Sequence, residues 1–282
     1  MDIAKAEQTA LLDGRATLLP SRFWATNTLI VEADSGCLVT DPCIFPDELD
    51  EIRARVDAYD GACVLITHAH FDHACGIPWF PAATIVAGER TAALIADGTV
   101  RGKLDEWGPQ WGADWSGEVR VDQVIEGTAS CGGLAVTAVD VHGHAPDGSA
   151  FIVDELGLMV PGDYLSSVSY PLVLSSLPDT IAAQERLLEA LDAHPIEVVV
   201  PGHGPALSDD EARQVGREDL EYLRALRGAA EEAVSAGAAT YPAYMAVYEV
   251  EPPREERPDF DPFGHRATNA RKAVAEAQAQ AA

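Results

Sequence analysis

Short apolar runs separated by turn residues fill the first two thirds of the chain. Residues 28–32, 37–40, 63–67, 83–86, 134–141, 150–153, 158–160 and 197–200 are rich in Val, Ile, Leu or Thr, and Gly, Pro, Asp or Asn bounds each of them. Runs of at most eight such residues between turn formers predict β-strands, so sheet should dominate this part. Two later stretches change period. IAAQERLLEAL and ARQVGREDLEYLRAL place Leu187, Leu188 and Leu191, and Leu220, Leu223 and Leu226, at helical spacing, which gives each helix one face to lay on a sheet. Ser176-Leu-Pro-Asp179 and Ser208-Asp-Asp-Glu211 precede them as capping signals. Residues 249–262 hold four prolines, six acids and two arginines, and predict an extended strap. The Ala-rich segment from His265 to the end predicts a terminal helix. No repeat of 20–50 residues is visible.

Composition narrows the function. The 282 residues carry 19 Lys plus Arg against 46 Asp plus Glu, a formal charge of −27. Such a surface repels phosphate backbones and anionic lipid faces, so neither nucleic acid nor membrane is an expected partner. No apolar run approaches the ~20 residues that span a bilayer. The first residues lack the basic and apolar regions of a secretory signal. Five cysteines (Cys37, Cys43, Cys63, Cys75, Cys131) are odd in number, form no C-x-x-C and lie mostly in apolar runs. The expectation is five reduced, buried thiols and a cytoplasmic setting. Nothing in the sequence specifies an oligomeric state.

Chemistry concentrates after the run CVLIT. There Thr67-His68-Ala69-His70-Phe71-Asp72-His73 places four candidate metal ligands within six residues. His68 and His70 project to one side of an extended chain, whereas Asp72 and His73 follow a bend. Three further strand-to-loop junctions end in a candidate ligand just after a glycine: His144 in VDVHGHAPDG, Asp163 in MVPGDYL and His203 in VVVPGHG. Imidazole and carboxylate together suit Zn²⁺. Seven such side chains suffice for two ions about 3.5–4 Å apart if one carboxylate bridges them.

H-x-H-x-D-H followed by Gly-His, Gly-Asp and Pro-Gly-His resembles the metallo-β-lactamase superfamily, from about Thr26 to His203. The resemblance implies an α/β fold, a four-layer αββα sandwich with the metals at one edge, over residues 1–248, with the strap and helix of 249–282 packed on the same domain. It implies that His68, His70 and His144 hold one metal, that Asp72, His73 and His203 hold the other, and that Asp163 bridges them. Asp41, in LVTDP, matches an early aspartate that steadies the ligand loop. Two Zn²⁺ per chain are implied, with iron or manganese as alternatives. The implied activity is hydrolysis of an activated acyl bond of a small molecule, a thioester or lactone, by a metal-bridging hydroxide that Asp72 orients or relieves of a proton.

Relatives of this kind also act on β-lactams and phosphodiesters, and some oxidise with iron. His70 stands where flavodiiron relatives carry a glutamate, Asp163 where lactamases usually carry Cys or Ser, and the acidic surface opposes a nuclease. A mononuclear iron dioxygenase of the same fold, a phosphodiesterase or β-lactam hydrolase, and a binding protein without catalysis are the alternatives. Tyr164, next to Asp163, either packs or hydrogen-bonds a substrate oxyanion; lactonases of acyl-homoserine lactones usually carry a tyrosine a few residues further on.

The remaining candidates receive structural readings. His142 is set aside in favour of His144, which follows Gly143. His194 ends a helix, where its charge suits the dipole. His265, near the C-terminus, is expected at the surface, with a place on the rim of the site as the alternative, and Cys75 as a small buried side chain. Trp107, Trp111 and Trp115 recur every four residues, but Gly108, Pro109 and Gly112 oppose a regular helix. They either form a packed aromatic cluster, or the segment from Arg101 to Trp115 overhangs the metals and gives substrates an apolar wall.

Overall fold

The computed structural model describes residues 7–112, 115–257 and 264–281. Two sheets pack face to face. The first has seven strands in the order β1 (Thr9–Leu11), β2 (Ala16–Pro20), β3 (Asn27–Ala33), β4 (Gly36–Thr40), β5 (Ala62–Ile66), β6 (Thr84–Gly88) and β7 (Gln123–Ile125). It is antiparallel through β4 and parallel from β4 to β7. The second runs β13 (Leu207–Ser208), β12 (Val198–Val199), β11 (Leu158–Val160), β10 (Ser149–Val153), β9 (Leu134–Asp140) and β8 (Thr128–Cys131), with β11 and β12 its parallel pair. All eight apolar runs of the sequence fall on strands.

The two-residue alternation of these strands builds the layers. Leu29, Val31, Leu38, Leu65 and Val86 of the first sheet meet Val136, Phe151, Val153, Leu158 and Val160 of the second, all buried between the sheets. The intervening residues Ile30, Val39, Val64, Ile66 and Ile85 point outward and are covered by α1 (Pro46–Val56), α3 (Glu89–Ala96) and α4 (Thr99–Trp107). On the opposite side, Ala150, Ile152, Met159 and Val199 pack under α5 (Leu177–Ala193) and α6 (Asp209–Ser235). The result is a four-layer αββα sandwich. Each fully buried Leu, Ile, Val or Phe contributes roughly 1.5–3 kcal/mol, so both faces of the central strands hold the layers together.

The caps form as the sequence predicts: Ser176 Oγ accepts from Asp179 N–H at 3.3 Å, and Ser208 and Glu211 close a reciprocal capping box. The short helix α7 (Thr240–Tyr248), which no sequence signal announced, and α8 (His265–Ala281) pack on α5 and α6 as a fourth apolar cluster. Residues 249–257 form no regular element, and the rest of the strap, 258–262, lies outside the described residues. No helix among the described residues is long and apolar enough to cross a membrane.

The cysteine expectation needs correction. Cys37, Cys43 and Cys75 are free and buried, but Cys63 of β5 and Cys131 of β8 form a disulfide. Both point into the space between the sheets, so residues 68 positions apart in sequence become neighbours. Sequence spacing could not show this, because the pairing depends on sheet packing.

Candidate metal centre

All seven expected ligands project from turns at the carboxyl ends of strands. His68, His70, Asp72 and His73 follow β5, with the last two on the one-turn helix α2 (Phe71–Ala74). His144 follows β9, Asp163 follows β11 and His203 follows β12. The two sheets are stitched where these turns meet. Thr26 bridges to His203, Asn27 N–H donates to Gly202 O at 2.8 Å, and Ser149 N–H donates to Thr67 O at 2.9 Å.

The ligand atoms converge in two groups, one of His68, His70, His144 and Asp163, the other of Asp72, His73 and His203. His70 Nδ1 lies 3.0 Å from His68 Nε2 and 3.1 Å from His144 Nε2. Tetrahedral coordination at about 2.0–2.1 Å spaces ligand atoms about 3.3–3.4 Å apart, close to these separations. Asp163 faces both groups. Its Oδ2 is 3.2 Å from His144 Nε2, and its Oδ1 is 3.1 Å from His73 Nε2 and 3.3 Å from His203 Nε2. His203 Nε2 and His73 Nε2 lie 3.5 and 3.4 Å from Asp72 Oδ2.

Hydrogen bonds behind the cage fix which nitrogen faces it. His73 Nδ1 pairs with Asp41 Oδ2 at 2.9 Å, His144 Nδ1 with Leu172 O at 2.7 Å and His203 Nδ1 with Trp24 O at 3.0 Å. Thr67 Oγ1 donates to Asp41 Oδ2 at 2.6 Å, which leaves its oxygen to accept from His68 Nδ1 at 3.1 Å. One buried carboxylate thus orients His73 directly and His68 through a hydroxyl, and it also accepts from Thr67 N–H at 2.8 Å. His70 is turned the other way, with Nδ1 inward.

The chemistry of this donor set fits divalent metal. Among the described residues, His73 Nε2 and Asp163 Oδ1 are buried and, though 3.1 Å apart, lack a well-aligned hydrogen bond, an arrangement that costs about 1–3 kcal/mol per group unless something is bound there. Gly202 keeps the cage open, since a Cβ at that position would lie 2.4 Å from Asp163 Oδ1 and 3.0 Å from His73 Cε1. Gly143, at φ +141°, presses its backbone against α5 where a Cβ would meet Thr180 N at 2.3 Å.

Charge inside the cage is polarised. Burial disfavours the charged imidazolium, holds His68 well below the ordinary imidazole range and takes His70 down to about 3. At His73 burial is outweighed by Asp163, Asp72 and Asp41, and at His203 by Asp163 and Asp72, so both are held above that range. Asp163 and Asp72 are held below the carboxylate range, because the facing histidines overcome burial.

A cavity of about 420 Å³ opens onto His70, Asp72, His144, Asp163 and His203. Its wall is mostly apolar and aromatic, with Trp24, Phe71, Trp107, Tyr170, Leu172 and Leu174. The tryptophans divide between the two readings. Trp107, the last residue of α4, faces the cavity, whereas Trp111 packs on Phe23, Phe45 and Phe71, and Trp115 packs on Trp79 and Phe71. Trp115 Nε1 donates to Gly108 O at 3.0 Å. The glycines and Pro109 do end the helix, in a 3₁₀ turn over Gly108–Trp111.

Tyr164 packs. It is buried away from the cavity, and its hydroxyl accepts from His144 N–H at 3.0 Å, so it braces a ligand instead of facing substrate. His265 corrects the surface expectation: it is 5% exposed, paired with Glu256, edge-on to Tyr170, and part of the cavity wall. His142 and His194 stay outside the cage, paired with Asp140 and Asp154 at 2.8 and 2.7 Å. Cys75 is fully buried with its thiol pushed up by burial.

Sequence reasoning missed two residues here. Lys103 faces the cavity from α4, and Asp147 accepts from Ala69 N–H at 2.8 Å, between the first two ligands. Asp147 follows His144 by three residues in HGHAPDG, a local signal that could have marked it.

Comparison with known proteins agrees with this geometry. The family model for the metallo-β-lactamase superfamily matches residues 21–203. No curated protein matches the chain. Among solved structures, a metallo-β-lactamase family protein from Thermus thermophilus is 15% identical, with TM-score 0.62, over 94% of this chain and 89% of its own. A metallo-β-lactamase from Pontibacter korlensis is 18% identical, with TM-score 0.58, over 77% of this chain and 98% of its own. A stereoselective inverting sec-alkylsulfatase from Pseudomonas sp. is 15% identical, with TM-score 0.66, over 93% of this chain but 49% of its own. The family match spans most of the chain and includes every residue of the cage: the protein belongs to the metallo-β-lactamase superfamily.

Proposed function

We propose that the protein is a dinuclear metal hydrolase, with zinc the best fit, that cleaves an activated acyl bond, a thioester or lactone, in a small molecule. One observation carries the reading: the two oxygens of Asp163 face separate histidine groups, as a bridging carboxylate would. Two divalent ions in such a cage supply a nucleophile from water at neutral pH and a Lewis acid for the scissile group.

The chain supplies the rest. Asp72 lines the cavity beside His73 and His203, and Thr26 Oγ1 donates to its Oδ2 at 3.4 Å, so it is the carboxylate placed to orient water and accept its proton. The aromatic wall excludes water and takes the apolar part of a substrate. A neutral acyl bond suits this wall better than a phosphodiester, because Lys103 is the single Lys or Arg among the described residues lining the cavity.

The test is turnover of a panel of thioesters, lactones, β-lactams, phosphodiesters and alkyl sulfates by zinc-loaded protein. Thioester or lactone hydrolysis should appear, vanish with chelator, and fall about 100-fold or more in kcat in Asp72→Asn. Preferential cleavage of another class, or one iron per chain with oxygen uptake, defeats the reading.

A further inference from the structure

Among the described residues, the wall of the cavity carries one Lys or Arg, in a strongly acidic chain. The sequence holds three lysines, and Lys103 faces the site. Lys103 lies one helical turn before Trp107, so both point to the same side of α4. Its Nζ donates to Ala69 O at 3.1 Å, the carbonyl between ligands His68 and His70. That bond pins the ammonium beside the metal cage and uses one of its three donors.

The charges facing Lys103 are Asp147 and Asp72, with Glu106 also on the cavity wall, and none of them is within salt-bridge distance of Nζ among the ion pairs of the described residues. A half-buried ammonium has lost much of its hydration and gains strongly from a direct anionic partner.

From this geometry we infer that Lys103 is an anion anchor, and that the substrate carries a carboxylate close to the scissile bond, beside an aromatic or apolar group that lies along Trp107 and Phe71. A single point charge among three acids matches one carboxylate. A phosphate, with nearly two charges, would set its second charge against Asp147 and Glu106 with no further Lys or Arg on the described wall. The inference deepens the hydrolase reading and rests on it for the reaction, but the anchor itself is a binding property that can be measured separately.

Two metal-seeking probes isolate it: 2-benzyl-3-sulfanylpropanoate and its neutral carboxamide. Each has a thiol for the metals and a benzyl group for the wall, and they differ only in charge. Binding to zinc-loaded protein is followed by calorimetry at two salt concentrations. The expected result is about tenfold tighter binding of the carboxylate, shrinking at higher salt. Lys103→Met should bring the ratio to about one through loss of carboxylate affinity, while Lys103→Arg should keep most of it.

Equal affinities in the unaltered protein would overturn the inference. So would a Lys103→Met variant that loses affinity for both probes in equal measure, because Lys103 would then only brace the ligand loop. If no acyl substrate is cleaved yet the charge discrimination persists, the hydrolase reading falls and the anion anchor stands.

Discussion

Replacing Asp41 by Asn separates the charge of the supporting carboxylate from its shape. Asp41 is 1% exposed and adopts φ +43°, a left-handed conformation that Asn tolerates and Ala does not, so Asn alters the chemistry with little added strain. One carboxylate oxygen accepts from Thr67 N–H at 2.8 Å, and the other accepts from the Thr67 hydroxyl and pairs with His73 Nδ1 at 2.9 Å. An amide that keeps the Thr67 N–H bond turns its NH₂ toward His73. The imidazole must then offer a lone pair at Nδ1 and carry its proton on Nε2, the atom that faces Asp163 and Asp72. Loss of such a supporting bond costs about 10–100-fold in metal affinity, or about 1.4–2.7 kcal/mol. The loss should fall mainly on the position served by Asp72, His73 and His203, and less on that of His68, His70 and His144. Competition with a calibrated zinc chelator should resolve two affinities in the unaltered protein and a selective weakening of one in Asp41→Asn. Two affinities each within about twofold of the original would refute the tautomer argument.

Three other outcomes follow from the same geometry. In chelator-treated protein, the stability gained from raised His73 and His203 should be full below about pH 6.5 and be lost as pH rises through their folded values, whereas zinc-loaded protein should gain with pH because metal needs deprotonated imidazole; melting curves from pH 5.5 to 8.5 with parallel slopes would contradict this. Titration of unfolded, unreduced protein should find three thiols, and Cys131→Ser should cost about 4 kcal/mol for a loop of 68 residues in denaturant unfolding; five thiols would remove the bridge. Gly202→Ala should push Asp163 out of place and reduce bound zinc below one equivalent by elemental analysis, and two equivalents would mean the backbone yields instead.

The sandwich was legible because its central strands are buried on both faces and read as unbroken apolar runs, such as CVLIT and MV, ending in ligands. Five strands escaped notice: β1, β7 and β13 span two or three residues at sheet edges, too short for any period to show, and β2 and β8, of five and four residues, carry one β-branched residue each in ATLLP and TASC. Helix α1 did carry its signals, with Pro46 in the first turn and Leu49, Ile52 and Val56 on one face. The ligand atoms were legible as residue types after turns, but their orientation was not. That His70 offers Nδ1 while the other histidines offer Nε2 depends on Thr67, Asp41, Leu172 and Trp24 closing in from separate elements. Lys103 was invisible as a cavity residue for the same reason, whereas the rim placement weighed for His265 agrees with the cavity wall.

The part of the cavity wall at Leu172 shows how residues beyond the family match reach the chemistry. Asn269 of α8 is buried and grips one loop at two points: its Oδ1 accepts from Val173 N–H at 2.8 Å, and its Nδ2 donates to Pro171 O at 2.8 Å. Between them lies Leu172, whose side chain lines the cavity and whose carbonyl accepts from His144 Nδ1 at 2.7 Å. Leu177, the first residue of α5, is held in turn by Glu276, and Arg254 ties residues 249–257 to Asp219 and Ser169 O. The C-terminal helix therefore sets both the apolar boundary of the cavity and the orientation of one ligand imidazole. Hydrolytic chemistry can reside in turns common to the superfamily, while the shape a substrate meets is fixed by a segment the family model does not cover.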